Sequence, residues 1–397
     1  MKIKILTPIL TAILSIMLVP TMACTTAVIS GKYTKSGRPI IWKVRDTQSL
    51  YNKIQIFEDG KYRCVALTNA LKDANSMVWG GYNEYGFAIM NSASYNTNLD
   101  KPTKFCDQEG IVMKKALQNC KSLKDFEKML KKLPKPWGLN ANFGVIDANG
   151  GAAYYETDND HFVKFDANNP MHAPNGYIIR TNYSYTGKKD IGYGFIRFET
   201  ATELLFDLDS KNRLDAEEIA TETSRSLYHS LLKTDYAKYK DYNSAPFVNN
   251  GDLICRHETA SAITIEGISS PEQKGETTMW STIAFPLSTP AIPIRLTDDN
   301  KLPSCMISPD QKTKAPLSDL CVKAKSRIYP IKRSSGYKYM NLNAYLNPQD
   351  GIKKVIDIEQ EEILKHMPKN KKQEDWITFY NWIDNSLFIE LSNKLQK

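Results

Sequence analysis

The order of periodicities along this chain predicts an α+β fold of four layers, two facing β-sheets each covered by helices. Three observations carry the prediction. Strand-like runs come in blocks separated by helical blocks, without a regular βαβ alternation. The 397 residues are 42% hydrophobic and 24% charged, enough apolar sequence for a large core. No Pro/Gly/Ser-rich linker or internal repeat divides the chain, so residues 24–397 read as one domain with a helical tail over about 353–397.

A leader precedes that domain. Lys2 and Lys4 open the chain, an apolar run extends from Ile5 to Val19, and Pro20 breaks it before the small residues Thr21 and Ala23. This is the pattern of a secretory signal peptide over residues 1–23, cut between Ala23 and Cys24. The run is too short for a comfortable bilayer crossing. The expectation is an exported protein, periplasmic or secreted, without stable membrane insertion after cleavage.

Residues Cys24 to Asp46 follow as two β-branched runs around a Gly/Lys/Ser/Gly turn, which reads as a hairpin. Strands are expected at Lys53–Phe57, Tyr62–Leu67 and Gly86–Asn91, then a helix from about Glu109 to Lys132, ended by Pro134 and Pro136. Strands return at Ala141–Asp147, Ala152–Glu156, Phe162–Phe165 and Tyr177–Arg180, divided by turns such as DANGG at Asp147–Gly151. Phe198–Leu208 and Ala216–Leu232 read as helices, Ile254–Ile265 and Thr277–Ile294 as a third β-rich block, and Lys353–Leu395 as an amphipathic tail.

Charge excludes one class of function. The formal charge of +8 falls to +6 when Lys2 and Lys4 leave, and no basic stripe with interleaved aromatics stands out, so nucleic acid is not an expected partner. The seven cysteines contain no CxxC pair, and the five histidines show no zinc spacing. In an exported chain an odd count fits one free thiol, with six others available for up to three bridges or buried as thiols. Cys255 and His257, in ICRHET, are one residue apart, which points both the same way on a strand without bringing them into contact.

Cys24 is where chemistry concentrates. A thiol with pKa near 8.5 needs a base, and an α-amino group titrates near 7.7–8.0. Were Cys24 the first residue, nucleophile and base would share one residue. Asp46, returned by the hairpin beside the first strand's start, is positioned to hold the ammonium. Asn91 and Asn182 are the amides suited to an oxyanion, where one preorganised donor contributes about 3 kcal/mol. A second reading uses the same residue as a lipobox cysteine, making the chain a lipid-anchored surface protein with a binding role. Against it, Thr21 stands where Leu is usual, and a strand follows Cys24 in place of a polar tether.

The motifs CTTAV at Cys24, IIWKVRDT at Ile40–Thr47, GGYNEYGFAIMNSASYN at Gly80–Asn96, NFGVIDANGG at Asn142–Gly151 and IIRTNYSYTG at Ile178–Gly187 resemble, in that order, the cysteine-type N-terminal-nucleophile (Ntn) hydrolases. The nearest groups are the choloylglycine hydrolase and penicillin-V acylase enzymes and the isopenicillin-N acyltransferases filed as peptidase family C45. The resemblance implies an αββα fold, cleavage or transfer at linear non-peptide C–N amides, no metal or organic cofactor, a small-molecule acyl-amide substrate, and a homo-oligomer, since relatives are often tetramers. It implies Cys24 as nucleophile, Asp46 beside its amine, Asn182 as oxyanion donor or substrate clamp, and Arg197, in GFIRFETATELL, as the later arginine of these enzymes. Lys43 stands where bile-salt hydrolases carry Arg, with Arg45 between it and Asp46, and both are candidate substrate-binding cations. Ala93 competes with Asn91 for the second oxyanion position.

Overall fold

The computed structural model describes residues 23–71, 75–308, 310, 312–332, 338–370 and 372–396. All of the expected leader except Ala23 therefore lies outside the described residues. The chain begins with the hairpin β1 (Ala23–Ile29) and β2 (Ile40–Asp46), paired from Ala23 opposite Asp46 to Ile29 opposite Ile40. There follow β3 (Asn52–Phe57), β4 (Cys64–Asn69), β5 (Gly80–Asn83) and β6 (Ala88–Ala93). Helices α1 (Glu109–Asn119) and α2 (Leu123–Lys131) lead to β7 (Ala141–Ile146), β8 (Ala152–Thr157), β9 (Phe162–Asp166) and β10 (Tyr177–Arg180). Then come α3 (Phe195–Ser210), α4 (Ala216–Thr221) and the short pairs β11 (Tyr228–His229), β12 (Thr234–Asp235) and β13 (Phe247–Val248). The third block is β14 (Thr259–Glu266), β15 (Thr278–Thr282) and β16 (Ile292–Ile294). The C-terminal part holds α5 (Pro316–Ile328), β17 (Ile331–Lys332), β18 (Lys338–Asn341), α6 (Leu342–Leu346), α7 (Ile352–His366), α8 (Gln373–Trp382) and α9 (Phe388–Leu395).

Among the described residues these strands form a six-stranded sheet, β10-β1-β2-β14-β15-β16, and a seven-stranded sheet, β3-β4-β5-β6-β7-β8-β9, each antiparallel throughout. Alternation along the strands sorts their side chains into layers. Val28, Ile41, Met90, Tyr154 and Ile263 fill the space between the sheets. Ala27, Trp42 and Ile179 pack outward against Leu205 of α3 and Ile219 of α4. Ile89, Phe143 and Tyr155 pack outward against Met113 of α1 and Phe126 of α2. The result is the αββα sandwich expected from the sequence. The inter-sheet core continues through α5 and α7 to Leu391 and Leu395 of α9, and no helix among the described residues is long and apolar enough to cross a membrane.

Four local expectations need correction. The helix expected over 109–132 is two helices, because the chain extends at Cys120 and Ser122 then caps a new start by accepting from Asp125 N. The helix expected over 216–232 stops at Thr221, gives one 3-10 turn and turns into β11. Residues 254–258, expected in a strand, precede β14 as a turn. Helix α5 was not anticipated, although Pro316 at its start, Asp319 in its first turn and Lys325 and Arg327 in its last are ordinary helix signals.

Candidate active site

The site is built where β1 and β2 meet the loops after β6 and β10. Cys24 is a buried residue of β1, directly opposite Arg45 of β2. Directly opposed residues share a face, so the sulfur, Lys43 and Arg45 lie on the inter-sheet side with Val28 and Ile41, and Asp46 lies on the outer side with Val44 and Trp42.

Three groups converge on Cys24. Its N–H donates to Asn182 Oδ1 at 3.0 Å. Its carbonyl oxygen accepts from Arg197 Nη1 at 2.7 Å, and the same nitrogen reaches Thr25 Oγ1 at 2.9 Å. Arg197 Nη2 closes the triangle by donating to Asn182 Oδ1 at 2.8 Å. Because an arginine only donates, the Asn182 oxygen must face Arg197, and its Nδ2 then donates to Ala93 O at 3.0 Å. Gly194, with φ 88, leaves room for this arrangement: a Cβ there would stand 2.4 Å from Arg197 Nη2.

The loop carrying Asn182 is fixed from behind. Buried Glu156 of β8 accepts from Arg180 Nε at 2.6 Å, from Tyr185 N at 3.0 Å, from Thr186 N at 2.8 Å and from Thr186 Oγ1 at 2.7 Å. Asn96 joins this loop to the one after β6, donating to Ser184 O at 2.9 Å and accepting from Ser184 N at 2.8 Å. Tyr95 N also donates to Asn182 O at 3.2 Å.

On the inter-sheet face, Lys43 Nζ donates to Asn91 Oδ1 at 2.7 Å and to Trp79 O at 2.8 Å. Asn91 keeps Nδ2 as its donor group. Arg45 donates to Asn52 Oδ1 at 2.9 Å and Asn69 Oδ1 at 3.1 Å, and its guanidinium lies 4.2 Å from the Trp79 ring centroid. Burial pulls Lys43 down to about 8, an ionised Cys24 sulfur opposing this and the charge of Arg45 adding to it. Burial likewise pulls the Arg45 and Arg197 guanidiniums down to about 10, so both remain cations at neutral pH.

On the outer face, Asp46 Oδ1 accepts from Thr259 Oγ1 at 2.6 Å and Oδ2 from Arg256 Nε at 2.8 Å. Burial disfavours the Arg256 charge, but Asp46 and Glu258 offset it and the guanidinium pKa is raised. Asp46 stands opposite Ala23, the residue before Cys24. The structure thus brings Cys24, Asn182 and Arg197 into direct contact, Lys43 and Asn91 into another contact, and seats Asp46 across the sheet.

Sequence reasoning missed Arg256, Thr259, Thr25, Glu156 and Tyr95. Tyr95 is within electrostatic reach of Cys24, Arg197, Arg256 and Asp46, and burial raises its phenol first of all. Tyr95 also packs edge-on to Tyr193 with centroids 5.6 Å apart, next to the stacked Tyr183 and Phe195 at 4.5 Å. Cys255 is buried and its thiol is pushed up by burial, while His257 packs edge-on to Tyr329, so these two do not form a catalytic pair. All seven cysteines are free thiols, Cys106 alone of them exposed, so the bridges open to the other six are not formed here.

The family model for acyl-coenzyme A:6-aminopenicillanic acid acyl-transferase matches residues 47–244, a span that contains Asn91, Asn182 and Arg197 and begins one residue after Asp46. Solved structures with similarity include an N-acylethanolamine-hydrolyzing acid amidase ortholog from Caenorhabditis elegans, 16% identical with TM-score 0.36, over 51% of this chain and 88% of that one. A penicillin V acylase from Agrobacterium tumefaciens is 13% identical with TM-score 0.41, over 69% and 86% of the two chains. A mutant conjugated bile acid hydrolase from Clostridium perfringens is 12% identical with TM-score 0.41, over 70% and 93%. No match was found among curated proteins. Similarity to the acyl-coenzyme A:6-aminopenicillanic acid acyl-transferase family thus extends over residues 47–244 of the chain.

Proposed function

We propose that the mature protein begins at Cys24 and is an exported amidase that cleaves linear non-peptide C–N bonds, such as those of N-acyl amines, N-acyl amino acids or bile-salt-like conjugates. The convergence of Asn182 and Arg197 on the backbone of Cys24 is the observation that carries this reading. A residue so held at both its nitrogen and its carbonyl presents a fixed sulfur to a substrate.

The free α-amine takes the thiol proton. The sulfur attacks the acyl carbon, and the carbonyl π electrons move to oxygen, where Asn182 Nδ2 and Asn91 Nδ2 are the side-chain donors for the oxyanion. Collapse breaks the C–N bond, the α-ammonium returns its proton to the departing amine, and a thioester remains on Cys24. Water then attacks the thioester and releases the acid. Where an amine outcompetes water, the same site transfers the acyl group. Asp46 and Arg256 form the charged support beside the new terminus. The burial of Cys24 within a strand, with no polar tether after it, disfavours the lipid-anchored reading.

Cys24→Ala in the mature protein, assayed on a fluorogenic N-acyl amine panel, is expected to abolish turnover, and retained turnover removes the proposal. Intact-mass analysis of the mature terminus checks the other half: a bare Cys24 is expected, and a diacylglyceryl adduct would make this an anchored protein.

A further inference from the structure

A cavity of about 530 Å³ opens between α3, the turn that follows α4, β12 and the C-terminal helices α6 and α7. That is room for a small organic molecule. None of the residues placed in the candidate active site lines it, and its α6 and α7 walls lie beyond residues 47–244.

Its lining carries five carboxylates, Asp207, Glu222, Asp235, Asp357 and Glu361, against two cations, Arg225 and Lys353. Three of the carboxylates have ion-pair partners outside the lining: Lys211 for Asp207 at 2.7 Å, Arg213 for Glu222 at 2.7 Å and Lys238 for Asp235 at 3.2 Å. These pairs are open to solvent, and such contacts give way to another cation at little cost. Lys353 pairs with Asp357, and Glu361 has no ion-pair partner among the described residues. The charge of Arg225 is turned into the fold, where Nε donates to Pro286 O at 3.1 Å and Nη2 to Thr289 O at 3.1 Å and Gln360 Oε1 at 2.8 Å.

Tyr345 of α6 supplies an independent observation. It is 3% exposed, and its ring belongs to the core that continues from between the sheets. It lines the cavity within electrostatic reach of Arg225 and Asp357, yet its hydroxyl has no hydrogen-bond partner among the described residues. A side chain this buried normally has its polar group paired. The open space beside Tyr345 is the cavity.

The carboxylates do not gather at a point. Among the described residues no three are close enough together to hold a metal ion, and they come from four segments around the cavity. Leu204, Leu208, Leu227 and Leu364 line it between them. Separated anions over hydrocarbon match a chain in which ammonium groups alternate with methylene runs, and do not match a compact cation.

We infer that this cavity is a binding site for a linear aliphatic polyamine, whose ammonium groups are taken by Asp207, Glu361 and the carboxylates between them, with the Tyr345 hydroxyl oxygen accepting one N–H.

The experiment is calorimetric titration of the purified protein with spermidine, with butylamine as the single-charge control and γ-aminobutyrate as the ligand that would offer a carboxylate to Arg225. One saturable spermidine site per chain is expected, at least about tenfold tighter than butylamine. Asp207→Asn combined with Glu361→Gln changes two exposed side chains and leaves the core untouched, and it should weaken spermidine by at least about tenfold. Tyr345→Phe keeps the ring in place and should weaken spermidine by about threefold to tenfold. Circular dichroism and the urea midpoint establish that each variant is folded. No saturable binding of spermidine, no preference over butylamine, tighter binding of γ-aminobutyrate, or full spermidine affinity in the folded double variant overturns the inference.

Discussion

Two cationic regions inside the same sandwich are treated in opposite ways. Arg180 is buried with its own carboxylate, Glu156, which also takes the backbone of Tyr185 and Thr186. Lys43 and Arg45, equally buried, receive only amide and carbonyl oxygens. The first set completes its charges within the fold and fixes a loop. The second leaves positive charge without a carboxylate partner on the face that carries the Cys24 side chain. Burial alone therefore does not separate the two sets, whereas the native counterion of Arg180 does.

The comparison breaks first at Glu156. Glu156→Ala strands Arg180 without a partner and frees the loop, and a loss of about 3–5 kcal/mol is expected in urea unfolding. Pairing it with Arg180→Met should recover part of that loss, and a cost no larger than that of a surface substitution would end the distinction. Next is the residue that the ion pair steadies. Asn182→Ala should lower kcat by about 100- to 1000-fold on an N-acyl amine with its near-ultraviolet dichroism retained.

Lys43 sharpens the other side through pH. Its pKa falls from 10.5 to about 8 on folding, chiefly by burial. Between those values the unfolded chain holds the proton and the folded one does not, so stability rises as pH increases through that window. The gain should not exceed about 3 kcal/mol. Denaturant midpoints taken across the window should climb, and Lys43→Met should flatten the climb. The smallest expected change is at Arg45: Arg45→Met should leave stability within about 1 kcal/mol of the parent, or above it, because no native ion pair is lost. A loss comparable to that of Glu156→Ala would show that Arg45 has a structural role after all.

The hairpin of β1 and β2 was legible because its apolar alternation and glycine turn agree with one another, and so were the antiparallel blocks that follow. Helix limits were less so: the periodicity over 109–132 continues through Ser122, whose side chain nonetheless starts a new helix. At the site, Cys24, Asn182 and Arg197 could be named from sequence, and the fold places them in contact. ICRHET shows what pattern reading passes over. It drew attention to Cys255 and His257, yet the arginine between them is the residue that reaches Asp46, 210 positions away in sequence. Glu156 and Tyr95 gave no local signal, since their partners come from strands and loops joined only by tertiary folding.

The hydrogen bond from Cys24 nitrogen to Asn182 Oδ1 exists while residue 23 is still attached. An amide and an amine can both make that bond, but only the amine has a basic lone pair to spare. Under the proposed reading, proteolysis at residue 23 would convert a finished framework into a reactive one by altering the electronic character of a single atom, and refolding would not be required.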